Sequence, residues 1–185
     1  MKRIQSIKSF KIKDEKNPAG ETKPRQIWAG HIFKDSEDFL SNRLAIIESA
    51  LAVESMLSSI ISFYFFKKDG ERKTEFEEMI VNTSWCSFAE KKRLVIAIMK
   101  KKNLIEAKEI QEYDKLLARV MQWRNAFTHG APHVSVESQE VSIHYFRDGS
   151  TQELLSDEFL FKVEKILNDA FDFTMSFYAA LEAAG

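Results

Sequence analysis

Three prolines and six glycines are all that punctuate 185 residues, which leaves long helices as the structures open to most of the chain. Proline breaks a helix and glycine weakens one, so their scarcity means few turns. Where they cluster, they cut. Gly130-Ala131-Pro132 stops a helix whose apolar spacing predicts a run from Glu109 to about His129. Winding this helix at about 100° per residue puts Leu116, Val120, Trp123 and Phe127 on one stripe for the core. Ala118, Gln122, Asn125 and His129 fall on a second, largely opposite stripe. Arg124 lies between them, flanked by Leu117, Met121 and Thr128.

The other elements follow from period and punctuation. Ser36 to Phe66 reads as the most hydrophobic helix, N-capped by Ser36 or Asp35. Leu44 to Phe66 has the length of a membrane span, but Glu48, Glu54 and four serines (Ser49, Ser55, Ser58, Ser59) point to a core helix instead. Lys67 to Arg72 is expected as a loop centred on Asp69-Gly70, and Thr74 to Val81 as a short helix. Ser87-Phe88-Ala89-Glu90 has the spacing of a capping box and opens a helix to about Lys102, with Leu94, Val95, Ile98 and Met99 inward.

Beyond Pro132 the period changes to two. Val134 and Val136, then Val141, Ile143 and Tyr145, alternate with polar residues, and Arg147-Asp148-Gly149-Ser150 carries a hairpin-turn signal. A small antiparallel hairpin or three-stranded meander is predicted over His133 to Leu155. Ser156 or Asp157 then caps a last helix, Glu158 to about Ala183, with Phe159, Val163, Ile166, Leu167, Ala170, Phe171, Met175 and Tyr178 facing the core. The fold class is mainly all-α: a helical bundle with a small β-hairpin or meander inserted before the last helix.

Charge and cysteine usage narrow the function. A formal net charge of −1 argues against binding nucleic acid through bulk charge and leaves a local basic cleft open. The single cysteine, Cys86, excludes an intramolecular disulfide and fits a reducing compartment. Met1 to Phe10 is charged and has no apolar run, so a cytoplasmic location is expected. Residues 1–34 read as a basic extension, and residues 35–185 as the helical domain. Between Met1 and Arg25 eight Lys and Arg face only Asp14, Glu15 and Glu21, with Pro18 and Pro24 alongside. Such a segment is either an arm for RNA or a partner, or a solvated tail.

Arg124 and His129 are the chemically suggestive pair. A guanidinium is always charged and its fork matches a phosphate; an imidazole titrates near neutrality and moves protons. One group to hold a phosphodiester and one to handle protons are the minimum equipment for metal-free RNA cleavage. His129 lies five positions beyond Arg124, about 7.5 Å along a helix axis. The plainer alternative is that Asn125 and His129 cap the helix end and Arg124 joins a surface ion pair.

Arg124-Asn125-x-x-x-His129, at the C-terminal end of a helix in a small helical chain, resembles the signature of the HEPN superfamily. The resemblance implies a HEPN-like bundle that pairs into a two-fold homodimer, with Arg and His of both subunits in one cleft. It implies a metal-independent endoribonuclease, a toxin or defence protein, or a relative that has lost catalysis and binds nucleotide, RNA or a protein. A nucleotidyltransferase or other antitoxin is the protein partner implied. Some HEPN toxins carry a Tyr two residues beyond the His, which a partner enzyme modifies; Ala131 stands there in this chain.

The remaining candidates support that pair. Glu54 sits on the otherwise mostly apolar stripe Ile47, Leu51, Ser58, Ile61, where a carboxylate needs a partner, and Arg124 or Asn125 is the expected one. Lys91, Lys92 and Arg93, and Lys100, Lys101 and Lys102, either line a route for an RNA backbone or form a solvated face. Leu117 and Met121 are expected near the two-fold axis. His129 and His133 are separated by helix-breaking residues and joined by no Cys or Asp cluster, so neither a metal nor a cofactor is expected. Cys86 lacks a neighbouring His or Asn for a nucleophile, and no Walker loop or dinucleotide fingerprint occurs.

Overall fold

The computed structural model describes residues 37–67, 70–135, 140–147 and 149–184; the basic extension expected over residues 1–34 lies outside them. The described chain is mainly helical, with a small antiparallel sheet before the last helix. In order come α1 (Glu37–Phe66), α2 (Gly70–Phe76), a π-helical turn (Glu77–Val81), α3 (Phe88–Lys102), α4 (Ala107–His129), β1 (Ala131–Val134), β2 (Val141–Phe146), β3 (Ser150–Leu154) and α5 (Asp157–Ala183). The sheet order is β1-β2-β3, a meander, with Ala131 opposite His144 and His144 opposite Gln152.

Local signals place most boundaries. The Ser87 hydroxyl accepts the Glu90 amide, the N-cap bond that opens α3, and donates to the Glu90 carboxylate. Asn103 ends α3 in the left-handed conformation (φ 53°), which asparagine tolerates. The Ser156 hydroxyl accepts the Phe159 amide at the start of α5. The expected loop over Lys67 to Arg72 is shorter than anticipated: Lys67 turns at φ 51°, and α2 already begins at Gly70.

Two compact units result. The first joins the described residues up to Ile47 to Trp123–Glu164. Phe39, Ile46, Trp123, Phe127, Ile143, Leu160 and Val163 make its core, where the Trp123 ring stands edge-on to Phe159 (5.1 Å) and Tyr145 (6.1 Å). The second joins Glu48–Gln122 to the chain from Lys165 onward. Its core is built from Val53, Leu57, Ile60, Val95, Met99, Tyr113, Leu117, Val120, Leu167, Phe177 and Leu181. Here Tyr113 stacks on Phe173 at 4.4 Å and shares a hydrogen bond with the Thr174 hydroxyl; burial pushes its own hydroxyl well above the usual phenol range. By length and composition α1 also qualifies as a membrane-crossing helix, yet its Ile46, Val53, Leu57, Ile60 and Ile61 are fully buried within the protein.

The stripes need corrections on α3, α4 and α5; on α5 Leu160, Thr174, Phe177 and Leu181 are buried, while Phe159, Phe171, Met175 and Tyr178 are only half-buried. Val120, Trp123 and Phe127 are buried as expected, but Leu116 is only half-buried and Leu117 is completely enclosed. Leu117 is therefore unable to face a two-fold axis; Met121 remains half-buried. On α3, Leu94 is 40% exposed and the buried face includes Lys91 instead. Val95, Ile98 and Met99 are inward on α3 as expected, whereas on α4 the buried face includes Leu117 in place of Leu116, because surrounding elements decide which side is covered.

Candidate functional site

The Arg-Asn-x-x-x-His motif lies in the first unit, on the last turns of α4. Trp123, Ala126 and Phe127 are buried there, whereas Asn125 and His129 are exposed and Arg124 and Thr128 are half-buried. One residue, Gly130, joins this helix to β1. Its amide continues the helical ladder to the Ala126 carbonyl at 2.8 Å. A Cβ there would stand 2.2 Å from that carbonyl oxygen, 2.9 Å from Ile143 Cγ1 and 3.0 Å from the His144 carbonyl. Glycine is required by this close approach of helix end to β2, and so the approach fixes where His129 emerges.

The Arg124 guanidinium donates through Nη1 to Asn125 Oδ1 at 3.3 Å, while its Nε is buried with no partner among the described residues. Arg43, from α1, donates through Nη2 to the Thr128 carbonyl at 2.9 Å. That carbonyl is one of the four a helix C-terminus leaves unpaired, and a cation also complements the dipole there. Beside the helix end, His133 and His144 approach diagonally across β1 and β2, ring centroids 5.0 Å apart, with His144 Nε2 buried and without a partner among the described residues. Among the described residues, no group of three or more His, Cys, Asp or Glu could hold a metal ion.

The other sequence candidates fall in the second unit. Glu54, for which the sequence suggested Arg124 or Asn125, has its carboxylate on Lys91 Nζ at 3.0 Å, and both side chains are largely buried. Beside them burial pushes the Cys86 thiol up, with Lys91 pulling it the other way. Lys92 pairs with Asp114 at 2.7 Å and Arg93 with Glu90 at 2.6 Å. The first basic triplet is thus held in ion pairs. Lys100, Lys101 and Lys102 are exposed at the end of α3, with the Lys102 ammonium 5.6 Å from the Tyr64 ring centre.

Arg43 is the site residue that the sequence reading passed over. It is the only Lys or Arg in the whole of α1, and a lone cation in the most apolar helix was the available signal. No protein-family model, curated protein or solved structure matches the chain.

Proposed function

We propose that this chain is a metal-independent endoribonuclease of the HEPN type, acting on single-stranded RNA as a toxin or defence protein. The observation that carries the reading is the motif's setting: Arg124, Asn125 and His129 stand at the end of α4, with Asn125 and His129 exposed and no carboxylate bridging Arg124 among the described residues. In this mechanism Arg124 holds the scissile phosphate and stabilises its growing charge in the transition state. His129 takes the ribose 2′-hydroxyl proton or returns one to the leaving oxygen. Asn125, which already accepts from Arg124, orients that guanidinium. The attacking 2′-oxygen bonds to phosphorus as the 5′-oxygen leaves, so the product is a 2′,3′-cyclic phosphate.

A two-fold homodimer belongs to the proposal. With Leu117 enclosed, apolar surface for a second copy is supplied by α1, where Leu40 and Leu44 are half or more exposed on either side of Arg43. Contiguous exposed apolar residues favour a partner surface. Light scattering should give a dimer, and Leu44→Glu should halve the mass. A monomeric parent would remove the composite cleft.

The second reading is a non-catalytic module of the same fold that binds nucleotide, RNA or a protein such as an antitoxin. It is favoured by the neutralisation of the first basic triplet, which leaves less cationic surface for RNA. Incubating the purified protein with RNA in EDTA, beside His129→Ala, separates the two. Cleavage that the variant loses supports the enzyme; cleavage that it retains, or none in the parent, leaves the binding module.

A further inference from the structure

The last turns of α4 hold unmet hydrogen-bonding capacity. Five buried side-chain polar atoms lack a partner among the described residues, and three of them, Trp123 Nε1, Arg124 Nε and Thr128 Oγ1, lie within six positions of this helix. Thr128 is the telling one. Helical Ser and Thr normally return their hydroxyl to the carbonyl one turn back, and Ser58, Ser59, Thr74, Thr174 and Ser176 all do so here. Thr128 does not.

The Arg43 guanidinium meets this turn, and Arg124 stands one turn earlier on the same helix. Arg43 spends one of its five N–H donors on the Thr128 carbonyl, and Arg124 sits one turn before Thr128 on the same helix face. Neither arginine has a carboxylate within 4.0 Å among the described residues, whereas Lys73, Lys91, Lys92 and Arg93 each do. Two cations without carboxylates at one helix end repel one another unless an anion joins them.

We infer that Arg43, Arg124 and Thr128 form one anion notch that takes a phosphodiester of the RNA strand, with Arg43 also holding the turn that carries His129. The inference rests on reading the motif as an RNA site. It adds Arg43 and Thr128 as contacts: Arg43 supplies a second fork, and the Thr128 hydroxyl donates to a phosphate oxygen. By covering the Thr128 carbonyl, Arg43 also offsets the negative end of the helix dipole, which would otherwise oppose an anion.

The test is binding of a 2′-O-methyl oligoribonucleotide, which cannot be cut, by the full chain across a salt series. Arg43→Gln is expected to weaken binding roughly tenfold and to lower the slope of log affinity against log salt by about 0.7, as for one single-strand phosphate contact. A purely structural role would leave that slope alone. Arg43→Lys should keep the melting temperature, since an ammonium still reaches a carbonyl, but should not restore the affinity. Thr128→Val, nearly isosteric, should bind several-fold more weakly at unchanged melting temperature. Inorganic phosphate at constant ionic strength should compete only weakly; displacement at RNA-like concentrations would overturn the phosphodiester assignment. If Arg43→Gln and Thr128→Val bind like the parent while the parent still cuts RNA, the notch falls and the ribonuclease stands. If the parent binds with the expected losses yet cuts nothing, the notch stands and only catalysis is lost. A parent that binds no RNA overturns both.

Discussion

Two clusters of cations in this chain are handled in opposite ways. At the start of α3, Lys91, Lys92 and Arg93 each close on a carboxylate, those of Glu54, Asp114 and Glu90. At the end of α4, Arg43 and Arg124 bind only a backbone carbonyl and an amide oxygen among the described residues. The first cluster has used its charge inside the molecule; the second has kept it. Three consecutive cations looked more like a nucleic-acid surface than a lone Arg in an apolar helix did. On the proposed function, partnering more than density separates structural charge from charge held for a ligand.

The sharpest way to break this contrast is to remove one charge from each cluster. Arg124→Ala should lower RNA cleavage about 10²–10⁴-fold, the range for losing a positioned group in the transition state, with the helical circular dichroism unchanged. Lys92→Ala should leave the rate within about twofold, because its ammonium is held by Asp114 and reaches no substrate in the proposed mechanism. Equal losses would mean that RNA lies along α3.

Stability should move the other way. Glu54→Ala or Lys91→Ala strands a largely buried partner, which typically costs about 3–5 kcal/mol. In a chain of this size that lowers the melting temperature by on the order of 10 °C. The double change Glu54→Leu with Lys91→Met should recover most of the loss, since apolar replacement of a buried pair is often close to neutral. If the single variants melt like the parent, the pair is solvated and the contrast weakens.

Gly130→Ala tests how rigidly the motif is presented. The added methyl meets the Ala126 carbonyl and Ile143 head-on, so a loss of roughly 1–3 kcal/mol is expected, together with a fall in cleavage because His129 is displaced. Unchanged activity would mean that the helix end need not abut β2. The smallest effect belongs to Arg93→Ala. Arg93 is 73% exposed, and a surface pair of this kind contributes under about 1 kcal/mol; chemical denaturation should barely distinguish this variant from the parent.

What the sequence determined by itself was local. Scarce breakers, the Ser87-x-x-Glu90 spacing, the stop at Gly130-Ala131-Pro132 and the switch from helical to alternating period placed the four long helices and the meander, because those signals act between residues a few positions apart. The motif at the end of α4 was legible for the same reason. Partners were not legible. Arg43 and Thr128 are 85 residues apart and Glu54 and Lys91 are 37 apart, and nothing in the local pattern couples them. Periodicity assigned α4 two faces, yet which flank of the stripe was sealed, Leu116 or Leu117, depended on the elements laid against it. Tertiary structure alone decided which charges were neutralised within the fold, since that depends on distance through space, while the code of helices and turns runs along the chain.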